Sequence, residues 1–301
     1  MTMAQTAATN TSEFAGFLKP AEAEAYFTQA ARQSVVQSLV RRVPLGINGQ
    51  DIPVVTSKPT ASWVAEAGQK PTTSGALGLK SISPKKIAAI TVVSAEVVRA
   101  NPGNYVSMFR DQIAEAFAIA FDAATLHGTS TPFGAGNFVG ATTKAVELGT
   151  ATAANGGTYA DLNGALKLLV DDKKKLTGWA FDDTAEPLLN AAVDLNGRPL
   201  FVDAVYEESA LSGGRLLRRP AFYSEGVANA TTIGFAGDWS QAVWGAVGGI
   251  SYDVSTEATV TINGELTSLW EHNLVAIRAE AEYGWLVNDP ASFVKLTEGA
   301  V

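Results

Sequence analysis

"NPGNYVSMFRDQIAEAFAIAFDAATLHG", residues 101–128, is the stretch on which the reading of the fold turns. Asn101 and Pro102 open it, and Gly128, directly after His127, supplies the left-handed stop that helix ends favour. Val106, Phe109, Ile113, Phe117, Ala120 and Ala124 recur at spacings of three and four and form one apolar stripe. Arg110, Asp111, Glu115 and Asp122 fall off that stripe. The spacing predicts a helix over 103–127 that acts as a spine about 35 Å long at about 1.5 Å per residue.

Upstream of the helix lies "WVAEAGQKPTTSGALGLKSISPKK", residues 63–86. It carries Lys70, Lys80, Lys85 and Lys86, and no acid appears between Glu66 and Glu96. "DIPVVTSKPTASWVAEA" before it is β-branched and interrupted by prolines, as short or edge strands are. "KKIAAITVVSAEVV" after it reads as the returning strand, so the two make a long hairpin with a small, basic far end. A lone two-stranded hairpin is marginal in water, so such an element must dock on another body. Before it, "PAEAEAYFTQAARQSVVQSLVRRV" reads as a helix opened by Pro20 and stopped by Pro44 and Gly46. Residues 1–20, rich in Ala, Thr and Ser, read as an arm.

Downstream, residues 160–176 predict a helix with Leu162, Leu166 and Leu169 inside and "DDKKK" outside. "DDTAEPLLNAAVDLNG" predicts another, capped by Asp183 with Glu186 three residues on and ended at Gly197. Short apolar runs follow, "RPLFVDAVY" among them. The final part is strand-rich: Ile250, Tyr252 and Val254 alternate, and "TVTINGEL" carries the Asn263–Gly264 pair of tight hairpins. In "VAIRAEAEYGW" composition favours helix. Val275, Ile277, Ala279, Ala281 and Tyr283 nevertheless alternate strictly with Ala276, Arg278, Glu280 and Glu282, and period two predicts a half-buried strand.

Composition narrows the function. The 301 residues, 47% hydrophobic and 17% charged, describe a folded chain able to bury a large core. The absence of cysteine removes disulfides, thiolate metal sites and thiol nucleophiles, and His127 and His272 are too few for a multi-histidine metal site. A net charge of −8 argues against sequence-independent DNA binding. The N-terminal residues lack the pattern of a secretory signal, and no window has the roughly 20 apolar residues that span a bilayer.

Candidate chemistry is sparse. "GAGNFVG" follows a helix and displaces the third glycine, which disqualifies it as a dinucleotide loop. Neither a phosphate-binding G-x-x-x-x-G-K-[ST] nor a G-x-S-x-G elbow occurs. Asp171–Asp172 and Asp182–Asp183 suit a metal or a carboxylate-dependent hydrolase only if they line a cleft; otherwise they are a solvated face and a helix cap. His127 reads as a partner of the helix dipole. Arg215, Arg218 and Arg219 flank a turn and read as interface or solvated groups.

Six segments in order carry a resemblance: "VAEAGQKPTTS", "VVSAEVVRANPGNYVSMFRDQIAEAFAIAFDAATLHGTSTPFG", "NGRPLF", "RLLRRPAFYSEG", "IGFAGDWSQAVWGAVGGISYDVS" and "HNLVAIRAEAEYGWLVNDPASFVKL". The chain resembles the major capsid proteins of tailed bacteriophages, with the α+β Hong Kong 97-type fold, over roughly residues 20–298. The resemblance implies an N-terminal arm at 1–50 and an E-loop hairpin at 51–95. It implies a peripheral domain at 96–157 and 249–287, with spine helix 103–127, and an axial domain at 158–248 and 288–301. Function is implied with it: self-assembly into hexamers and pentamers of an icosahedral head enclosing double-stranded DNA, in the bacterial cytoplasm, with no cofactor or membrane. An encapsulin-like compartment is the alternative with the same fold.

Implied intersubunit contacts fall on Trp63, Glu66, Lys70, Lys80, Lys85, Lys86, Arg41, Arg42, Arg218, Arg219, Arg278, Glu280 and Glu282. The implied partners are further copies, a portal, a separate scaffolding protein and a decoration protein. Because only residues 1–50 precede the hairpin, either a separate scaffolding protein or an unassisted shell is expected. Some family members join a lysine to an asparagine with a glutamate assisting, and Lys70, Asn273 and Glu280 match those positions. There a desolvated Glu280 would take a proton from Lys70, whose amine would attack the Asn273 carboxamide and release ammonia. A salt bridge of Lys70 is the alternative.

Overall fold

The computed structural model describes residues 34–100, 105–192 and 212–299. The arm, the first part of the predicted 20–43 helix, the Asn101–Pro102 start, "NGRPLF" and "RPLFVDAVY" lie outside them. The Ser34 hydroxyl accepts the Gln37 amide (3.1 Å) and caps a short helix, α1 (Val35–Leu39). The predicted helix does not continue to Val43. Val40 is extended, and β1 (Arg41–Arg42) pairs in parallel with a later strand. Helix propensities differ by only tenths of a kcal/mol per residue, roughly 0.7 at most, so an available sheet edge overrides them.

β2 (Gln50–Ser57) pairs antiparallel with β3 (Ala76–Ile82), from Gln50 opposite Ile82 to Ser57 opposite Ala76. β4 (Lys85–Ser94) was expected to return along β2, and instead lies along β14 (Leu274–Val287) over ten positions. The reason is burial: Ile87 and Ala89 of β4 find an apolar surface beneath the long helix. The true hairpin is therefore shorter than expected, spanning 50–82. "SAEVV" leaves the strand as α2 (Ala95–Ala100).

The long helix forms as α3 (Tyr105–Asp122), continues as a π-helical turn (Ala123–His127), and ends at Gly128 with φ 71°. Ile113 and Phe117 pack on Ala279 and Ala281 of β14, flanked by Ile87, Ala89, Tyr252 and Tyr283. Alanines on the strand let the helix approach closely. At the helix end the stripe departs from expectation: Ala120 is exposed and Phe121 is buried, edge-on to Trp244 and Trp285. The larger ring takes the core position.

α3 lies over a five-stranded sheet. β4 lines one edge of β14; β10 (Ala242–Ala246) and β11 (Ser251–Ser255) share the other, and β1 extends it beyond β10. β14 is the half-buried strand its period of two predicted, with Ala279 and Ala281 buried and Arg278 exposed. Asn263 (φ 53°) and Gly264 (φ 86°) form the tight turn between β12 (Thr259–Ile262) and β13 (Glu265–Ser268).

A second, six-stranded sheet has the order β5 (Ala145–Leu148), β15 (Phe293–Glu298), β9 (Thr232–Gly237), β6 (Gly178–Phe181), β8 (Arg219–Tyr223), β7 (Ser212–Leu216). α4 (Gly157–Asp171) buries Leu162, Ala165 and Leu169 in the same cluster as Trp179 and Leu296. A core containing Phe121, Trp239, Trp244, Trp285 and Phe293 joins the two sheets through the end of α3. α5 (Glu186–Asn190) follows a 3-10 turn whose cap is Asp182, one residue earlier than expected; its carboxylate accepts the Thr184 amide at 3.1 Å.

Candidate functional site

No cleft assembles the acid pairs. Asp182 is buried, and its carboxylate is taken by the Thr184 amide and hydroxyl and the Ala228 amide, at 2.8–3.1 Å. The hydrolase reading required Asp182 or Asp183 in a concave cleft; Asp182 is instead spent on the cap, and Asp183 is exposed in the 3-10 turn that follows it. Asp171 pairs with Lys167 and Asp172 with Lys144, both at 2.5 Å, the solvated-face reading of the sequence. A groove of about 460 Å³ lies between α1, α3 and the first sheet, with Asp111, Glu115, Trp244 and Tyr283 among its walls. Among the described residues no group of three His, Cys, Asp or Glu is placed to hold a metal. None of their helices is long and apolar enough to cross a membrane.

His127 does not serve the helix dipole as a cation. Its Nε2 lies 2.9 Å from the Val227 carbonyl, and burial pushes its pKa below the usual value, which favours neutral imidazole donating to that oxygen. Nor is Asp122 on the solvated side of α3. It is buried, and its carboxylate receives the Ser34 hydroxyl (2.5 Å) and the Val35 amide (2.9 Å). α1 covers a second side of the helix end, which the α3 stripe could not announce. The "GAGNFVG" loop is a brace: Asn137 donates to the Phe133 and Trp285 carbonyls, each at 3.2 Å, and accepts the Val287 amide at 2.7 Å.

The surface features concentrate on the 50–82 hairpin. Its base is held where Ile52 and Ile82 pack with Val43 and Leu45. Beyond the base, residues 55–77 are all exposed, including Trp63 (104%), Leu77 (75%), Glu66 and Lys70. Lys80 donates to the Asn288 carbonyl at 2.5 Å and Lys86 pairs with Glu280 at 3.2 Å, both within the chain. Lys85 is exposed. Arg278 binds Asp253 (2.8 Å) and approaches Glu280 (3.6 Å), completing a charged row across β14. Glu282, two residues on, is half-buried.

The remaining arginines divide. Arg42 lies over the Trp244 ring at 5.4 Å, and Arg41 is exposed. Arg219 donates to the Leu176 and Leu217 carbonyls at 2.7 Å, holding a β7–β8 turn whose two residues, Leu217 (φ 48°) and Arg218 (φ 65°), are left-handed without being glycine. Arg218 is left exposed at the tip. Asn273 occupies a left-handed turn (φ 54°), and its side-chain amide donates to Glu96. Lys70, Asn273 and Glu280 thus have separate surroundings within one chain.

A long helix on a β14-centred sheet, a projecting two-stranded hairpin and a second mixed sheet define an α+β capsid-subunit fold of the Hong Kong 97 type. A solved structure from Gordonia phage Cozz matches it with TM-score 0.76 at 22% identity, covering 96% of this chain and 94% of that one. The model of the Phage capsid family matches residues 15–297, and the chain belongs to that family. It is 46% identical to the "Probable major capsid protein gp17" of Mycobacterium phage D29, across 98% of this chain and 94% of the relative. Identity to the protein of the same description from Mycobacterium phage L5 is 45%, across 97% and 92%.

Proposed function

We infer that this chain is the major capsid protein of a tailed bacteriophage, assembling as hexamers and pentamers into an icosahedral head around double-stranded DNA. The observation that carries the reading is the hairpin: residues 55–77 are exposed throughout, in a chain of the capsid family. An extended element that its own chain leaves uncovered is explained by neighbours in a closed shell, whose interfaces of roughly 2,000–5,000 Å² outweigh the cost of ordering it. The relatives' descriptions as capsid proteins favour a phage head over an encapsulin compartment. Sedimentation of the purified chain tests the reading: megadalton particles are expected, and a stable 31.4 kDa monomer under all assembly conditions contradicts it.

In this reading the 50–82 hairpin is the E-loop, α3 and the five-stranded sheet form the peripheral domain, and the six-stranded sheet with α4 forms the axial domain. Trp63, Glu66 and Lys70 are contacts to a neighbour. Lys70 makes an ion pair there and not a covalent bond to Asn273, because Asn273 is engaged by Glu96 and Glu280 by Lys86 and Arg278. A net charge of −8 suits a container that encloses DNA without holding it. A separate scaffolding protein, a portal and a decoration protein complete the assembly.

A further inference from the structure

The six-stranded sheet is electrically polar along its strands. β6 and β8 run in parallel, Trp179 beside Ala221, so the loop before β6 and the turn before β8 share one end. Arg219 fixes the two together, its Nε donating to the Leu176 carbonyl at 2.7 Å. That end carries Lys173, Lys174 and Lys175 from the α4–β6 loop, with Arg215, Arg218 and Arg219 from β7, the turn and β8. At the opposite end Asp182, Asp183 and Glu186 follow β6, and Glu225 follows β8.

Most of these cations are left over once the chain has used what it needs. Lys174 pairs with Asp289, and Arg219 serves the Leu176 and Leu217 carbonyls. The other carboxylates at this end are committed: Asp171 to Lys167 and Asp172 to Lys144, both at 2.5 Å, and Asp238 to the Ser240 amide and hydroxyl. Among the described residues Lys173, Lys175, Arg215 and Arg218 form no ion pair, and all of them are exposed. Leu176 and Leu216 are buried, and no exposed large apolar side chain lies within 172–177 or 214–220.

We propose that this corner of the six-stranded sheet, Lys173, Lys175, Arg215 and Arg218, is a contact surface for the phosphate backbone of DNA. The proposal rests on the shell-subunit reading, which supplies the double-stranded DNA. A protein partner calls for an apolar centre within a polar rim, and the corner has no such centre. Unpaired cations alone suit a polymer of phosphates, and the planar fork of arginine matches phosphate oxygens in pairs. The acid excess of the rest of the chain confines the contact to this corner. A handful of phosphate contacts is weak at physiological salt, so DNA slides across the surface and is not held.

Fluorescence anisotropy of a short labelled duplex with the unassembled chain tests it. Affinity should fall with salt at a logarithmic slope of about −3 to −4, as for roughly four phosphate contacts. Lys173→Gln, Lys175→Gln, Arg215→Gln and Arg218→Gln together should weaken binding roughly tenfold or more at low salt. Arg218→Gln alone should reduce the slope by about one. Arg219, which holds the turn, stays in place, so the combined variant keeps the fold and should still form shells. A control of equal net charge, Arg41→Gln, Lys58→Gln, Lys85→Gln and Arg99→Gln, should bind DNA nearly as the unaltered chain does. No binding by the unaltered chain at low salt, or an equal loss in the control, overturns the proposal while leaving the shell-subunit reading intact. Loss of shells in the corner variant with DNA affinity kept would place the acidic end of a second copy on the corner, and would overturn it too. Failure of the unaltered chain to assemble shows in sedimentation, and removes that reading and the proposal with it. Formaldehyde treatment of DNA-filled particles does not depend on the variants folding. It should leave nucleotide adducts on Lys173 or Lys175, and filled particles with adducts only on other residues contradict the proposal.

Discussion

The Asp122 carboxylate, at the end of α3, receives the Ser34 hydroxyl at 2.5 Å across 88 positions of sequence. With the Val35 amide at 2.9 Å, it fastens the start of α1 to the end of the long helix. Burial pushes its pKa from 3.8 up to about 7, against the lowering effect of those hydrogen bonds. A folded-state value above the unfolded one means that the neutral acid is the form folding favours. The stabilisation is complete below about pH 4 and is lost as pH rises through 7. Between pH 8 and pH 5 the unfolding free energy should rise by on the order of 2 kcal/mol from this group. Asp122→Asn should flatten that part of the profile in urea titrations of the monomer; an unchanged slope would count against it.

Asn137 makes three side-chain hydrogen bonds that tie the glycine-rich loop to β14. Asn137→Ala leaves the Val287 amide and the Trp285 carbonyl without these partners. Unfolding free energy should fall by about 2–3 kcal/mol. A loss below about 0.5 kcal/mol in urea denaturation would mean that the loop is dispensable to the fold.

Two glycines should respond in opposite directions. A Cβ at Gly237 would fall 2.7 Å from the Ser292 carbonyl oxygen and 3.0 Å from the Phe293 Cα, where only backbone movement makes room. Gly237→Ala should cost about 3 kcal/mol. Gly164, inside α4, has nothing within 4 Å of the same atom, and Gly164→Ala should add about 0.5–1 kcal/mol. Thermal midpoints moving the same way for both would refute the packing argument.

Mature particles boiled in detergent should run as a single band at 31.4 kDa. That outcome follows from the proposed ion pair of Lys70: within the chain the Asn273 side-chain amide donates to Glu96, and Glu280 faces Lys86 and Arg278. A ladder of higher bands that disappears in Lys70→Arg would show a covalent bond instead.

The long helix, the β14 strand and the Asn263–Gly264 turn were legible because each is set by local periodicity or by a backbone demand that few residues meet. Strand partnership was not. The pattern of β4 says that one face is buried, but Ile87 and Ala89 are satisfied by α3 and β14, two elements distant in sequence. Asp122 was misread for a related reason: the α3 stripe identifies the side on the sheet, whereas α1 closes over another side at the helix end. In the candidate site, the basic run was visible in the sequence. That Lys80 and Lys86 are used within the chain, leaving Lys58, Lys70 and Lys85, required the fold.

The central claim is that the hairpin 50–82 is completed by a neighbouring copy. An electron cryomicroscopy map of particles assembled from this chain tests it most directly. The account predicts closed icosahedral shells of hexamers and pentamers, with Trp63 buried against an adjacent subunit. Shells in which the hairpin folds back on its own chain, with Trp63 still in solvent, would contradict it.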